Sequence, residues 1–224
     1  MRFVILIPTI RPNTARFFAA LAESFTYPTD VVVMRDTFAE REGHSQAFNW
    51  GLGAVNPARH EIAVKMDDDI LLRRGWQDVI VQAFADIPKL GVVGLDLAHQ
   101  PNAREGMTNG MVAGVMIAPE WWGRTLFRNM RRGNVWGLFL ASPAALMVEI
   151  GQIPIIDGEK YPFFADAWYC DRVRERGYKL GYVVAPYGMK PEALVYDEVP
   201  GYVEGKVEDT RRIRDRAIME MKKK

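Results

Sequence analysis

Residues Glu61–Asp69 read EIAVKMDDD, so an apolar, β-prone segment runs directly into three consecutive aspartates. Apolar segments of strand length also lie at Phe3–Ile7, Asp30–Met34 and Gly91–Leu95. Phe3–Ile7 is apolar at every position, which is typical of a strand buried on both faces of a parallel sheet. Segments with helical spacing of apolar residues lie between the strands: Thr14–Phe25, Ser45–Val55 and Trp76–Ala85. This alternation predicts an α/β fold with a mostly parallel central sheet and helices on both faces.

The second half of the chain has a less regular pattern. Leu138–Ile150 predicts a strand that leads into a short helix, and Ala165–Arg176 predicts a second helix. Gly177 is a suitable C-cap for that helix and precedes an apolar strand at Tyr178–Val184. No repeat or low-complexity linker divides the chain, so we predict one domain over residues 1–224. Its parts are residues 1–96, residues 97–186, and a tail, residues 187–224, that contains a charged helix.

The composition is that of an ordinary globular protein, with 49% hydrophobic and 25% charged residues, and excludes a disordered chain. The 29 lysines and arginines nearly balance the 28 aspartates and glutamates, so binding to a polyanion would require a local basic patch. Cys170 is the only cysteine, which indicates a reducing compartment or a protein indifferent to redox conditions, and we expect a cytoplasmic location. Gly137–Ile156 is about as long as a membrane span but carries Glu149 and two prolines, so no integral membrane segment is predicted. No pattern in the sequence indicates which oligomeric state the protein has.

The three aspartates, Asp67, Asp68 and Asp69, follow the apolar strand directly. In open parallel sheets, ligands bind beyond the carboxyl ends of the strands, which is where these acids fall. Adjacent carboxylates repel one another unless a cation neutralises them, and a hard divalent ion that bridges carboxylates and substrate phosphates does so. The alternative is an acidic N-cap for the next helix. One aspartate suffices for a cap, so three favour metal and phosphate binding.

Four sequence elements together resemble the family 2 glycosyltransferases, which have the GT-A fold. They are the opening segment Phe3–Thr9 (FVILIPT), the motif Gly43-x-x-x-Ala47-x-Asn49-x-Gly51, the pair Asp67-x-Asp69, and Ala165-Asp166 followed by Arg172-x-Arg174-Glu175-Arg176-Gly177-Tyr178. The elements occur in the family's order and spacing, and the resemblance covers about residues 3–186. It implies a GT-A-like, Rossmann-type nucleotide-binding fold. Residues 1–96 would then bind the donor, and residues 97–186 would carry the acceptor and catalytic half.

The resemblance implies an inverting, metal-dependent transfer of a sugar from a nucleotide-sugar donor, by expectation a UDP-sugar, to an acceptor hydroxyl. Asp67 and Asp69 would be the Asp-x-Asp pair that holds Mn²⁺ or Mg²⁺ on the donor diphosphate. Asp166 aligns with the carboxylate that deprotonates the acceptor, a general-base role. The first acid of that pair is Ala165 here and a later acid is Trp168, so Asp171 remains a rival for the base.

Donor binding rests on weaker signals in the residues around the strand ends. Some candidates follow the first or second strand, and others precede or lie within the motif helix or the acid triplet: Thr9, Arg11, Asp36, Arg41, His44, Asn49 and Asp68. The alternative for Asp36 is a turn residue, and the alternative for Arg41 and His44 is an exposed surface position. The family often has a further metal ligand downstream, commonly a histidine. No histidine lies near the C-terminus, so Asp197 or water is expected to take that place.

The acceptor is predicted to be a glycan precursor, with DNA that carries a hydroxymethylated base as the alternative. Aromatic platforms and arginines that would suit either acceptor, or form a solvated basic face, lie in the variable half: Trp121, Trp122, Trp136, Arg124, Arg128, Arg131 and Arg132. A nucleotidyltransferase is a third reading, but residues 8–14 contain none of the glycines that its phosphate loop needs. A binding module without activity is disfavoured because Asp67, Asp69 and Asp166 are all present.

Overall fold

The structure is a computed structural model, and it describes residues 1–9, 15–35, 44–68, 70–98, 127–129, 139–153 and 165–189. In chain order the elements are β1 (Phe3–Thr9), α1 (Ala15–Glu23), β2 (Thr29–Arg35), α2 (His44–Leu52), β3 (Ile62–Met66), β4 (Leu71–Leu72), α3 (Trp76–Asp86), β5 (Leu90–Ala98), β6 (Phe127–Asn129), β7 (Phe139–Pro143), α4 (Ala144–Ile150), α5 (Ala165–Glu175) and β8 (Lys179–Met189). Within these residues, no helix is long and apolar enough to cross a membrane.

The strands of the described residues form one eight-stranded sheet in the order β2-β1-β3-β7-β5-β8-β4, and β6 pairs with β8. The pairs β1–β2, β1–β3 and β5–β8 are parallel, whereas β7 runs antiparallel to both β3 and β5. Strands β1, β2, β3, β5 and β8 therefore share one direction, which makes five of the eight. The predicted α/β class with a mostly parallel sheet is confirmed.

Hydrophobic side chains cover both faces of the sheet, because successive residues of a strand point to opposite faces. On one face, Phe3, Ile5 and Ile7 of β1 belong to a cluster that includes residues of α1 and α3. On the other face, Val4 and Leu6 belong to a cluster that includes residues of α2, α4 and α5. The predicted placement of helices on both faces is confirmed, and it explains why β1 is apolar at every position.

The link between α5 and β8 matches its sequence signal. Gly177 has a φ of 75°, the left-handed conformation that favours glycine. The Tyr178 N–H donates to the Val173 carbonyl at 3.2 Å, and the Gly177 N–H donates to the Arg174 carbonyl at 2.8 Å. These two bonds form a Schellman motif, so Gly177 ends the helix as predicted. The next strand is longer than predicted, since β8 continues to Met189.

At the end of the sheet where β1, β2 and β3 begin, Asp30 of β2 forms several ion pairs and hydrogen bonds. His60 Nε2 lies 2.9 Å from Asp30 Oδ2, Arg59 Nη2 lies 3.0 Å from the same oxygen, and Arg2 Nε lies 3.6 Å from it. The hydrogen bond from His60, aided by the two guanidinium groups, lowers the pKa of Asp30 below its usual value of 3.8. This cluster ties β2 to the segment that precedes β3.

Candidate functional site

The carboxyl ends of β1, β2 and β3 meet at one edge of the sheet. Leu6 of β1 lies beside Lys65 of β3, and Thr9 of β1 lies beside Arg35 of β2. Asp67 and Asp68 follow β3 at this same edge. The chain leaves three parallel strands here, and polar side chains replace the apolar ones. The predicted location of the acids, beyond the carboxyl end of a strand in the sheet, is what the structure has.

Asp68 is bound to the end of β1. The Thr9 hydroxyl donates a hydrogen bond of 2.5 Å to Asp68 Oδ2, and Thr9 is buried. A hydrogen bond to a charged carboxylate is stronger than one between neutral groups. Sequence reasoning placed both residues on the donor, but it did not foresee that they contact each other. The Thr9 side chain therefore helps to hold in place the segment after β3 that carries Asp67 and Asp68, called here the acid segment.

Asp67 is bound to a buried lysine that sequence reasoning did not single out. Lys65 Nζ donates to Asp67 Oδ1 at 2.8 Å, and Lys65 is 5% exposed. Lys65 shares a face of β3 with Ala63, which belongs to the cluster that includes α2, α4 and α5. The available signal was a single charged residue inside the otherwise apolar strand Ile62–Met66. Lysines are almost never fully buried unless paired.

Asp67 and Asp68 do not cap the helix that follows them. The next helix, α3, begins at Trp76 with Gly75 as its N-cap, at a φ of 93°, and among the residues that the structure describes no side chain forms a capping hydrogen bond there. The short strand β4, which was not predicted, lies between the acids and α3 and pairs antiparallel with the end of β8. The alternative reading of the aspartates as an N-cap is therefore wrong.

The residues at this edge suit a hard divalent cation. Asp67 and Asp68 present carboxylate oxygens, which Mg²⁺ and Mn²⁺ prefer as ligands. Lys65 donates to one oxygen of Asp67, and Thr9 donates to one oxygen of Asp68. The described residues, which leave out Asp69, contain no cluster of three acidic, histidine or cysteine side chains. The donor chemistry therefore fits the metal, and two of the three predicted acids can be located.

Asp166 lies in the first turn of α5. A three-residue link joins α5 to β8, and Val173 of α5 packs in the same cluster as Leu180 of β8, so the helix runs antiparallel to the strand. Strand β8 runs in the same direction as β3, which places the first turn of α5 toward the edge that carries the acids. Asp171, the rival base, is exposed and forms an ion pair with Arg174 at 2.9 Å.

A buried chain of hydroxyl groups fixes the position of α5. The Tyr169 hydroxyl donates to Ser142 Oγ at 3.1 Å, and the Ser142 hydroxyl donates to the Gly91 carbonyl at 2.8 Å. Burial raises the pKa of Tyr169, so its phenol stays protonated and acts as a donor. These bonds connect α5 to β7 and β5, one helical turn from Asp166.

Asn49, predicted to contact the donor, makes its observed contacts within the fold. Its Nδ2 donates to the Ile153 carbonyl at 2.8 Å, and its Oδ1 accepts from the Ile153 N–H at the same distance. The buried amide thus attaches the segment after α4 to α2. His44, another predicted donor contact, is the first residue of α2.

The remaining predicted residues lie outside the described part of the chain. Those of the donor and metal sites are Arg11, Asp36, Arg41, Asp69 and Asp197. Those of the acceptor side are Trp121, Trp122, Trp136, Arg124, Arg131 and Arg132. Arg128 falls within the short strand β6. The tail for which a charged helix was predicted lies outside the described residues.

Comparison with known proteins bears on the fold. The sequence matches no family model. A search of curated proteins likewise finds no match. Among solved structures, S. aureus TarS is similar to this chain with a TM-score of 0.54 at 14% identity, over 95% of this chain and 39% of TarS.

A second structure, of S. aureus TarS 1-349 in complex with UDP-GlcNAc, gives a TM-score of 0.53 at 15% identity, over 88% of this chain and 62% of that one. The chain therefore spans less than two thirds of either TarS structure. Identities this low establish the fold alone. The chain has the GT-A fold of glycosyltransferases, as the sequence motifs implied.

Proposed function

We propose that this chain is an inverting glycosyltransferase that moves a sugar from a nucleotide-sugar donor, by expectation a UDP-sugar, to an acceptor hydroxyl. The observation that carries the proposal is the arrangement at the carboxyl edge of a GT-A sheet. There, Asp67 and Asp68 follow β3, and each carboxylate is held by a partner, Lys65 or Thr9. Fixed acids at this edge suit a phosphate-bearing ligand that arrives with a divalent cation.

Asp67 and Asp69 are the proposed protein ligands of Mn²⁺ or Mg²⁺, with Asp197 as a further candidate. When bound, the cation would neutralise charge on the diphosphate that leaves the sugar. Asp68 is held toward β1 by the hydrogen bond from Thr9. We assign Asp68 to shaping the donor site, together with Thr9, Arg11, Asp36, Arg41 and His44.

Asp166 is the proposed general base. The acceptor oxygen attacks the anomeric carbon, its proton passes to the Asp166 carboxylate, and the bond from the anomeric carbon to the diphosphate oxygen breaks. The bonding electron pair leaves with the diphosphate, and the configuration inverts. The position of Asp166 in the first turn of α5 supports this role, because the helix runs from the edge that carries the acids. The ion pair of Asp171 with Arg174 disfavours the rival.

The test is a turnover assay with a panel of nucleotide sugars, offered with oligosaccharides or with duplex DNA that carries hydroxymethylated bases. We expect nucleotide diphosphate release and an inverted product that depends on Mn²⁺ or Mg²⁺ and stops in excess EDTA. Asp166→Asn keeps the shape of the side chain but not its basicity, so kcat should fall by about 10²-fold or more with little change in donor affinity. Asp171→Asn is the matched control. Full turnover in EDTA, or a fall confined to Asp171→Asn, would contradict the proposal.

A further inference from the structure

Lys65 is a buried charge in a strand that is otherwise apolar. It is 5% exposed, and its neighbours Val64 and Met66 are fully buried. On either side in the sheet it lies beside Leu6 of β1 and Leu140 of β7, both buried. Removing an ammonium group from water is costly unless a partner of opposite charge is close.

Stability of the fold alone is a weak explanation for a charge at this position. Replacing a buried ion pair with apolar side chains of similar volume is often neutral or stabilising, so a buried pair is weak evidence of a role in stability. The pair Lys65–Asp67 lies where the strand meets the acid segment. A role at the site explains the lysine better than a role in the core does.

The two described acids are held by different elements. Asp67 is bound by Lys65 of β3, whereas Asp68 is bound by Thr9 of β1. Each of the two neighbouring carboxylates thus has a partner near the end of a different strand. Partners of this kind, which hold a metal-binding side chain without touching the metal, set its orientation and its affinity.

We infer that Lys65 is a positioning residue, which holds the carboxylate of Asp67 in place before the divalent cation binds. The inference rests on the proposed function, because it takes Asp67 as a ligand of that cation. The ammonium group offsets part of the repulsion among the aspartates and fixes Asp67 through Oδ1. The site is then pre-organised in the metal-free protein.

The experiment measures Mn²⁺ binding by the purified full chain in the absence of donor, by calorimetry or electron paramagnetic resonance. Lys65→Met and Lys65→Gln remove the charge, and each should weaken Mn²⁺ binding by about 10- to 100-fold. Lys65→Arg keeps the charge and N–H donors and should remain within a few-fold of the wild type. Lys179→Met is the matched control, because Lys179 begins β8 at the opposite edge of the sheet, and it should not change the affinity.

A second measurement separates positioning from folding. Thermal unfolding in EDTA shows whether each variant is folded before the titration, and if Lys65→Met does not fold, Lys65→Gln decides the question. In the Asp67→Asn background, Lys65→Met should cause little further loss of Mn²⁺ affinity, since the lysine acts through Asp67. If the charge-removing variants bind Mn²⁺ as tightly as the wild type or more tightly, the inference is wrong while the proposed function stands. If the wild type binds no Mn²⁺ without donor, the site is not pre-organised in the metal-free protein and the inference is wrong, whereas the metal part of the proposed function is decided separately by metal-dependent binding of UDP.

Discussion

Replacing Asn49 with alanine should destabilise the protein substantially. The side-chain amide of Asn49 donates to the Ile153 carbonyl and accepts from the Ile153 N–H, both at 2.8 Å and both buried. The alanine variant leaves these two backbone groups without their partner. An unsatisfied buried polar group costs about 1–3 kcal/mol, so we expect a loss of about 2–4 kcal/mol in the free energy of unfolding.

Thermal unfolding followed by circular dichroism measures this loss. For a chain of this size, each kcal/mol shifts the Tm by about 2–4 °C, so Asn49→Ala should lower the Tm by roughly 5–15 °C. Asn56→Ala is the matched control, because the Asn56 side chain is exposed and accepts an exposed hydrogen bond from the Ala58 N–H, and its Tm shift should be within about 2 °C.

The same variant tests what Asn49 contributes to the site. Well below its Tm, Asn49→Ala should bind the donor within about threefold of the wild type, because the amide is used within the fold. A Tm equal to that of the wild type, combined with donor binding weakened more than tenfold, would refute this reasoning. That result would support Asn49 as a donor contact.

Two further predictions concern stability. Asp30→Asn should lower the free energy of unfolding at neutral pH, because His60 and the nearby arginines lower the pKa of Asp30 in the folded state, so the stabilisation by Asp30 is present above pH 3.8 and is lost as the pH falls further. Urea unfolding of both proteins from pH 7 to pH 2 should show that their difference in free energy of unfolding shrinks below pH 3.8, and a difference that stays constant would contradict this prediction. Gly91→Ala should lower the free energy of unfolding by about 1–3 kcal/mol, because the new Cβ would lie 2.6 Å from Val173 Cγ1 and 2.7 Å from Tyr178 Cβ. A Tm that stays within about 1 °C of the wild type would contradict this prediction and show that α5 moves aside without strain.

Local patterns predicted the elements that depend on local physics. The all-apolar β1, the helix spacing of α3 and the end of α5 at Gly177 are encoded by adjacent residues, and each was found close to its predicted bounds. The direction of β7 was not encoded in this way. Its apolar residues suit either direction, and only its place between β3 and β5 shows that it is antiparallel.

The site shows the same division. The location of the acids was predictable because the strands of a parallel sheet all end at one edge, so the residues directly after β3 must lie there. The hydrogen-bonding partners of the acids were not predictable from the sequence. Thr9 and Asp68 lie 59 positions apart, and their contact depends on the register of β1 with β3. The sequence shows Lys65 as a charged residue within an apolar strand, but its pairing with Asp67 follows only from the structure, which shows that Lys65 is buried.

The central claim is that the acids after β3 bind a nucleotide diphosphate through a divalent cation, and a calorimetric titration with UDP tests it most directly. The wild type and Asp86→Asn, an exposed control at the end of α3, should bind UDP in Mn²⁺ and lose at least about tenfold in affinity in EDTA. Asp67→Asn should bind weakly under both conditions while its Tm shows that it is folded. Equal UDP affinity with and without Mn²⁺, or unchanged metal-dependent binding by Asp67→Asn, would contradict the account.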